Sequence, residues 1–230
     1  MADTLKKVYL LVTEKKWHDQ LFANLKTIPN SVWHRIDTKE KFTFETISSY
    51  NPDRIFIPHW SYIIPGEIFR SFECILFHMT DLPFGWGGSP LQNLICLGFE
   101  ETTISAIRVE KGVDEGMVYL KKGLSLNGTA AEIYLRASAV VETMIQQIIL
   151  TDPQPFPQHG EVVVFKRRKP EESNIARLKE LKQIYDFIRM LDCEGYPNAF
   201  LETDHFRFEF TNAQFLTNQS VTAHVRIVKK

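Results

Sequence analysis

The sequence predicts an α/β protein: a mostly parallel sheet with crossover helices, followed by a small α+β C-terminal module. Three observations carry this prediction. Short β-branched or leucine-rich runs alternate with helical patterns from Lys6 to Met79, the signature of parallel strands with helical crossovers. A long amphipathic run follows, Thr129–Leu150. After it, TDPQPFPQHGE interrupts every periodicity with three prolines, and strand-like runs dominate what remains.

Each element has its own reason. Val8–Val12 is apolar and extended, and Lys16–Thr27 then places Trp17, Leu21, Phe22 and Leu25 on one helical face. Ser31–Ile36 reads as a second strand. FTFETISSY is helical, and the IFI run after Asp53-Arg54 is the next strand. IPGEIFRSF gives a short helix after Pro65, and CILFHM a further strand. Pro90–Leu97 is helical. Thr102–Val109 and Gly116–Leu126 are strands joined by the turn-rich EKGVDE. In the long helix, Thr129 is the expected N-cap and Glu132 completes a capping box. The division is expected at the proline-rich break, giving an α/β domain over 1–152 and a small α+β module over 153–230. In that module EVVVFKRR is a strand, Glu172–Leu191 a helix, and HFRFEF and SVTAHVRIV are strands.

Lys plus Arg is 27 and Asp plus Glu is 28, a formal charge of -1, which argues against a protein built to grip nucleic acid. Cys74, Cys96 and Cys193 lie in or beside apolar runs without metal-ligand spacing, so they are expected as buried free thiols in a reducing compartment, and no metal is expected. The first apolar run is only Val8–Val12, too short for a signal peptide, and no run is expected to span a membrane. A cytoplasmic protein is the expectation.

The chemistry concentrates in FHMTDLPFGWGGSPLQN, Phe77–Asn93. His78 ends a predicted strand of an open α/β sheet, where ligands bind. Pro83 and Pro90 stiffen the following loop, and Gly85, Gly87 and Gly88 let its backbone approach a ligand. Asp114 lies in GVDEG between two strands. A carboxylate beside an imidazole orients the ring and favours its protonated form, which suits stabilisation of an oxyanion. Each residue alone is equally a structural histidine or a turn aspartate.

The loop resembles the signature of the N10-formyltetrahydrofolate-dependent formyltransferases, H-x-S-L-L-P, then Gly four residues on and Pro three further. His78, Thr80, Leu82, Pro83, Gly87 and Pro90 stand at the matching positions. Asp114-Glu115-Gly116 matches the family's D-T-G, SYIIP (Ser61–Pro65) its Y-x-x-I-L-P segment, and RRKPEESNI with YDFIRMLDCEGYPNAF its C-terminal R-R-K-P-E…Y-P-G-A-F segment. The resemblance implies a Rossmann-like formyltransferase fold and transfer of a formyl group from N10-formyltetrahydrofolate to an amine through a tetrahedral intermediate. His78 would stabilise the oxyanion, and Asp114 would orient His78 and help remove the amine's proton. Trp60, Tyr62, Ile63, Ile64, Lys111 and Val113 would hold the donor, and Trp86, Gly87, Gly88, Ser89 and Arg167 the acceptor. Two positions depart from the family: Leu76 replaces the Asn two residues before the His, and Trp86 replaces an Arg. Thr80, Asn93, a loop N–H or water would replace the lost donor.

Among the family's branches, the resemblance is strongest to the sugar N-formyltransferases, which implies a nucleotide-linked amino sugar from surface-glycan synthesis, including pseudaminic-acid-type pathways. Glycinamide ribonucleotide and methionyl-tRNA are the alternative acceptors, and a catalytically degenerate folate- or sugar-binding homologue is the alternative from another class. The basic run Phe165–Lys169 is either a solvated strand end or a partner for phosphates, and Phe187, Met190 and Leu191 read as core or interface. The apolar C-terminal strands suggest a homodimer.

Overall fold

A computed structural model describes residues 6–216 and 219–230; Met1–Leu5, part of the segment read above for a signal peptide, lie outside the described residues. Inter-residue contacts divide the chain into two compact units that interleave along the sequence. The first comprises Met1–Trp86, Thr103–Leu124 and Leu135–Val164, and the second Gly87–Thr102, Ser125–Tyr134 and Phe165–Lys230.

The first unit is built on a six-stranded sheet. In chain order its strands are β1 (Lys7–Val12), β2 (Ser31–Ile36), β3 (Arg54–Pro58), β4 (Cys74–His78), β6 (Glu101–Arg108) and β7 (Val118–Ser125), arranged β2-β1-β3-β4-β6-β7. The strands β1 to β4 pair in parallel, and β6 runs antiparallel to β4 with His78 opposite Ser105. Helices α1 (Asp19–Leu25), α2 (Phe44–Tyr50) and α3 (Gly66–Ser71) make the crossovers. Thr43 caps α2, accepting a hydrogen bond from the Thr46 N–H at 3.2 Å, and Asn51 ends it in the left-handed conformation. The core on this sheet is aliphatic: Leu10, Val12, Ile36, Ile47, Ile55, Ile57 and Ile68 are all buried. Burial on both faces explains why β1 and β3 read as continuous apolar runs.

A short strand, β5 (Phe84–Gly87), forms inside the expected loop and pairs with β8 (Val163–Phe165). The long helix α5 (Ala130–Thr151) carries the expected capping box, with Thr129 N–H donating to the Glu132 carboxylate at 2.8 Å and Glu132 N–H to the Thr129 hydroxyl at 3.3 Å. By length and composition α5 is apolar enough to cross a membrane, which corrects the expectation that no run reaches that length. In the structure, Ile133, Ala137, Val141, Met144, Ile145 and Ile148 are buried at helical spacing, while Arg136 and Glu142 lie on other faces, the pattern of a helix packed along one stripe.

The second unit contains α4 (Pro90–Cys96), α6 (Leu181–Arg189) and a three-stranded antiparallel sheet of β9 (Ala199–Glu202), β10 (Phe206–Leu216) and β11 (Ser220–Lys229), in the order β11-β10-β9. The helix expected over Glu172–Leu191 is shorter than predicted. A 3-10 turn occupies Pro170–Ser173, and Asn174 bridges to Phe200 while Ile175 N–H donates to the Phe200 carbonyl at 2.9 Å. Pairing with β9 thus takes the backbone groups a helix would need. Met190 and Leu191 are buried, as core residues should be. Cys96 is exposed, contrary to the expectation of three buried thiols; Cys74 is buried, and burial pushes its thiol up to about 12.

Candidate active site

Strand β4 carries the site. Residues two apart on a strand share a face, so Leu76 and His78 lie on the same side of the sheet. The chain turns immediately after His78, and Ser105 on the neighbouring strand fixes that turn. Its hydroxyl donates to the Thr80 carbonyl at 2.8 Å and accepts from the Leu82 N–H at 3.3 Å. Ser105 and Thr80 are fully buried.

The His78 ring is held from both nitrogens. Nε2 lies 2.8 Å from the Gly85 carbonyl oxygen, and Nδ1 lies 3.5 Å from Asp114 Oδ1. A carbonyl only accepts, so Nε2 carries a proton. Nδ1 faces a second acceptor, the Asp114 carboxylate. His78 and Asp114 are 7% and 8% exposed, so the pair sits in a largely water-excluded place where charge interactions are strong. Asp114 holds its position at φ 59°, in the left-handed region where Asp is among the more tolerated residues. A Cβ at Gly116 would fall 1.7 Å from the Arg108 carbonyl oxygen, so the turn back towards β7 admits only glycine there.

A residue that the sequence did not single out completes this arrangement. Gln158, in the proline-rich segment, accepts from Trp86 Nε1–H at 3.0 Å and donates to the carbonyl oxygens of Asp114 at 2.6 Å and Gly116 at 2.8 Å. Its partners are two main-chain carbonyls and an indole from distant segments, and no sequence pattern announces such a triple. Trp86 also packs against the buried cluster of Leu82, Ile107 and Val118.

The residues expected to hold the donor sit on two loops of the same unit. Ile63, Val113 and Tyr62 are 79%, 56% and 38% exposed, unusually open for large apolar side chains. Trp60 packs edge-on against Phe42 and Tyr62, and its Nε1 is buried without a hydrogen-bond partner. Ile64 packs against the aliphatic core, and Lys111 is exposed. Of the expected replacement donors in this unit, the Thr80 hydroxyl is directed at the Gly85 carbonyl at 3.4 Å.

The remaining expected residues belong to the second unit. Asn93 donates its amide to the carbonyls of Gly88 at 2.9 Å and Lys166 at 3.0 Å. A Cβ at Gly87 would meet the Phe165 carbonyl oxygen at 2.4 Å, and one at Gly88 the Arg167 Cβ at 2.6 Å. The close approach these glycines permit is therefore to the chain's own backbone. Ser89 accepts from the Arg168 N–H at 3.1 Å, and Arg167 is exposed. Among the described residues, no group of three or more His, Cys, Asp or Glu is placed to hold a metal.

Comparison with known proteins bears on this geometry. A family model for the methionyl-tRNA formyltransferase C-terminal domain matches residues 170–228. The solved structure of a methionyl-tRNA formyltransferase from Clostridium thermocellum is 45% identical, covers 97% of this chain and 100% of its own, and superposes with a TM-score of 0.93. The chain belongs to the formyltransferase family. Within this family, the methionyl-tRNA formyltransferase of Sinorhizobium medicae (strain WSM419) is 28% identical over 182 residues, 74% of this chain and 57% of that protein. This formyltransferase-family chain thus spans little more than half the length of the curated relatives it matches. A sugar N-formyltransferase from Shewanella sp. FDAARGOS_354 shares the fold, with a TM-score of 0.71 at 14% identity over 92% of this chain and 99% of its own. The mostly parallel sheet and the C-terminal antiparallel sheet are those expected of the formyltransferase fold.

Proposed function

We propose that this chain transfers a formyl group from N10-formyltetrahydrofolate to a primary amine, with His78 and Asp114 at the reacting centre. The observation that carries the reading is the buried pair itself, an imidazole facing a carboxylate at 3.5 Å on the family's motif positions. The donor's requirements fit the residues present. Exposed Ile63, Tyr62 and Val113 offer apolar contact to a planar ring, and the unpartnered Trp60 Nε1–H offers a hydrogen bond. When bound, the donor supplies an activated formyl carbon and a nitrogen leaving group.

The chain's own groups do the rest. As the amine nitrogen bonds to the formyl carbon, the carbonyl electron pair moves onto oxygen. His78 exchanges the Gly85 carbonyl for that oxyanion and donates to it from Nε2. Asp114 holds the ring from Nδ1 and receives the amine's proton, directly or through water; the proton then passes to the departing nitrogen. Leu76 packs against the core and gives no hydrogen bond, while the Thr80 hydroxyl and the Asn93 amide already serve carbonyls. A loop N–H or a water therefore supplies the second oxyanion donor.

The acceptor is a nucleotide-linked amino sugar. The near-neutral charge of -1 supports a small acceptor over a nucleic acid. Methionyl-tRNA is the second reading, favoured by the printed name of the 45% identical structure. The chain works in the cytoplasm as a homodimer through β10 and β11, whose Val225 and Ile227 are 49% and 61% exposed. The test is incubation with N10-formyltetrahydrofolate and either methionyl-tRNA, glycinamide ribonucleotide or a panel of nucleotide-linked amino sugars, followed by mass spectrometry. A gain of one formyl group on a sugar nucleotide supports the first reading, and formyl-methionyl-tRNA the second. Donor binding without product on any amine would leave a degenerate binding protein.

A further inference from the structure

Neither group that holds the His78 ring lies on a strand of the six-stranded sheet. The Gly85 carbonyl lies in the segment after Pro83, and the Asp114 carboxylate lies in the connection between β6 and β7. The second of these is open to solvent around Asp114: Lys111, Val113 and Glu115 are exposed, and only Asp114 and Gly116 are buried. Something must fix the separation of β5 and the β6–β7 connection, or the imidazole cannot keep both partners.

We propose that Gln158 is the positioning residue that sets this separation. Its carboxamide is used to capacity on one side and joined to β5 on the other. The amide nitrogen has two hydrogens, and they go to the carbonyls of Asp114 and Gly116; the amide oxygen accepts from Trp86, the residue next to Gly85. The chemistry settles which way the amide points. An indole N–H can only donate and a main-chain carbonyl can only accept, so oxygen must face Trp86 and nitrogen the loop. Gln158 is itself held on both sides. Phe156 exchanges two backbone hydrogen bonds with Val118, at 2.8 and 2.9 Å, and Val163 N–H reaches the Pro83 carbonyl at 3.3 Å. A side chain on a segment anchored this way transmits position.

Of the natural residues, glutamine serves these partners best at this length. Glutamate has the same reach but offers only acceptors when ionised, so it would face the two carbonyls unfavourably and keep only the Trp86 contact. Leucine fills similar space with no polar group. A displacement of the order of 1 Å at a catalytic group costs up to about 10²-fold in rate, so Gln158→Leu and Gln158→Glu lower kcat by about 10- to 100-fold. Trp86→Phe, which removes one of the three bonds, lowers kcat by less than either.

The catalytic part of this inference rests on the formyl-transfer reading; the positional part does not. The experiment therefore pairs steady-state kinetics with nitrogen-15 NMR of the His78 ring and the Trp86 indole in the wild type, Gln158→Leu, Gln158→Glu and Trp86→Phe, with thermal unfolding as the control for folding. A fall in kcat, together with displaced His78 ring signals in Gln158→Leu, supports the assignment. Wild-type kcat, or His78 signals unmoved while only the melting temperature falls, overturns it. If the wild type formylates no amine, the functional reading fails by itself, and displaced or unmoved His78 signals still decide whether Gln158 positions the ring. If Gln158→Leu does not fold, the Gln158→Glu and Trp86→Phe signals make the same decision.

Discussion

The two ends of strand β4 both carry polar networks, the first half-buried and the second buried, and they are built differently. Just before the strand, Glu73 is saturated. It receives Arg54 Nε–H at 2.7 Å and the Tyr119 hydroxyl at 2.5 Å; Tyr119 in turn accepts from Arg108 Nε–H at 3.1 Å, and Arg54 also pairs with Asp152. The network's contacts are short, and it joins β3, β6, β7 and the end of α5. At the other end, His78 and Asp114 stand 3.5 Å apart, and the ring faces two acceptors. The contacts are short at one end, while the other places an imidazole and a carboxylate, groups that acid–base chemistry uses, at a longer separation.

Substitutions can break or sharpen this contrast. His78→Ala should reduce formyl transfer by about 10³-fold with the melting temperature nearly unchanged, measured by product mass spectrometry and calorimetry; an active variant would remove His78 from the mechanism. Asp114→Asn keeps the shape and removes the charge, and should cost about 10²-fold in kcat, again at preserved stability. In the opposite direction, Leu76→Asn restores the amide that the family's motif places two residues before the histidine. Since one oxyanion donor is commonly worth about 10²–10³ in rate, a gain of about tenfold is expected in a site not otherwise tuned to it. No gain would mean that the loop N–H or water already supplies that bond as well as an amide would.

At the saturated end the readout changes from rate to stability. Glu73→Gln should lower the unfolding free energy in urea by about 1–3 kcal/mol, because Arg54 and Tyr119 lose their charged partner, with kcat of the folded protein unaltered. Burial first, and then the hydrogen bond to Glu73, push the Tyr119 hydroxyl up to about 12. Its folded value lies above the unfolded one of about 10. The stability linked to the neutral hydroxyl is therefore complete below about pH 10 and lost as pH rises from about 10 to 12. Unfolding curves across that window should show the decline in the wild type and a weaker one in Glu73→Gln.

Much of the fold, and one side of this contrast, His78 with Asp114, was legible in the sequence. The βα alternation gave the parallel strands because each apolar run is short and bounded by turn residues, as in SVWHRI, which forms β2 over the predicted residues. The capping box at Thr129 and Glu132 was readable because both partners lie within one turn. His78 and Asp114 could be named as a pair only through their motif context, since 36 residues separate them. What escaped the sequence has a common cause: contacts with main-chain atoms far away. Gln158 binds two carbonyls and an indole; Asn174 and Ile175 pair with Phe200 in place of a helix; Gly87 and Gly88 make room for Phe165 and Arg167. Backbone carbonyls are the same at every residue, so the letter at position 158 does not reveal what it binds. The proline-rich segment was read as a break for the same reason, yet it pairs with β7 through Phe156 and Val118 and carries Gln158 to the site.

If the chain formylates an amine as proposed, the steric limit at Gly116 has a practical consequence for redirecting it to other acceptors. Its hypothetical Cβ meets backbone, whereas one at Gly112 meets only the end of the flexible Glu115 side chain. A randomised library should therefore leave position 116 invariant and spend its diversity on 63, 113 and 115, where side chains already face solvent and a new one displaces nothing. Clones surviving with a changed residue at 116 would report a remodelled loop rather than a retuned pocket.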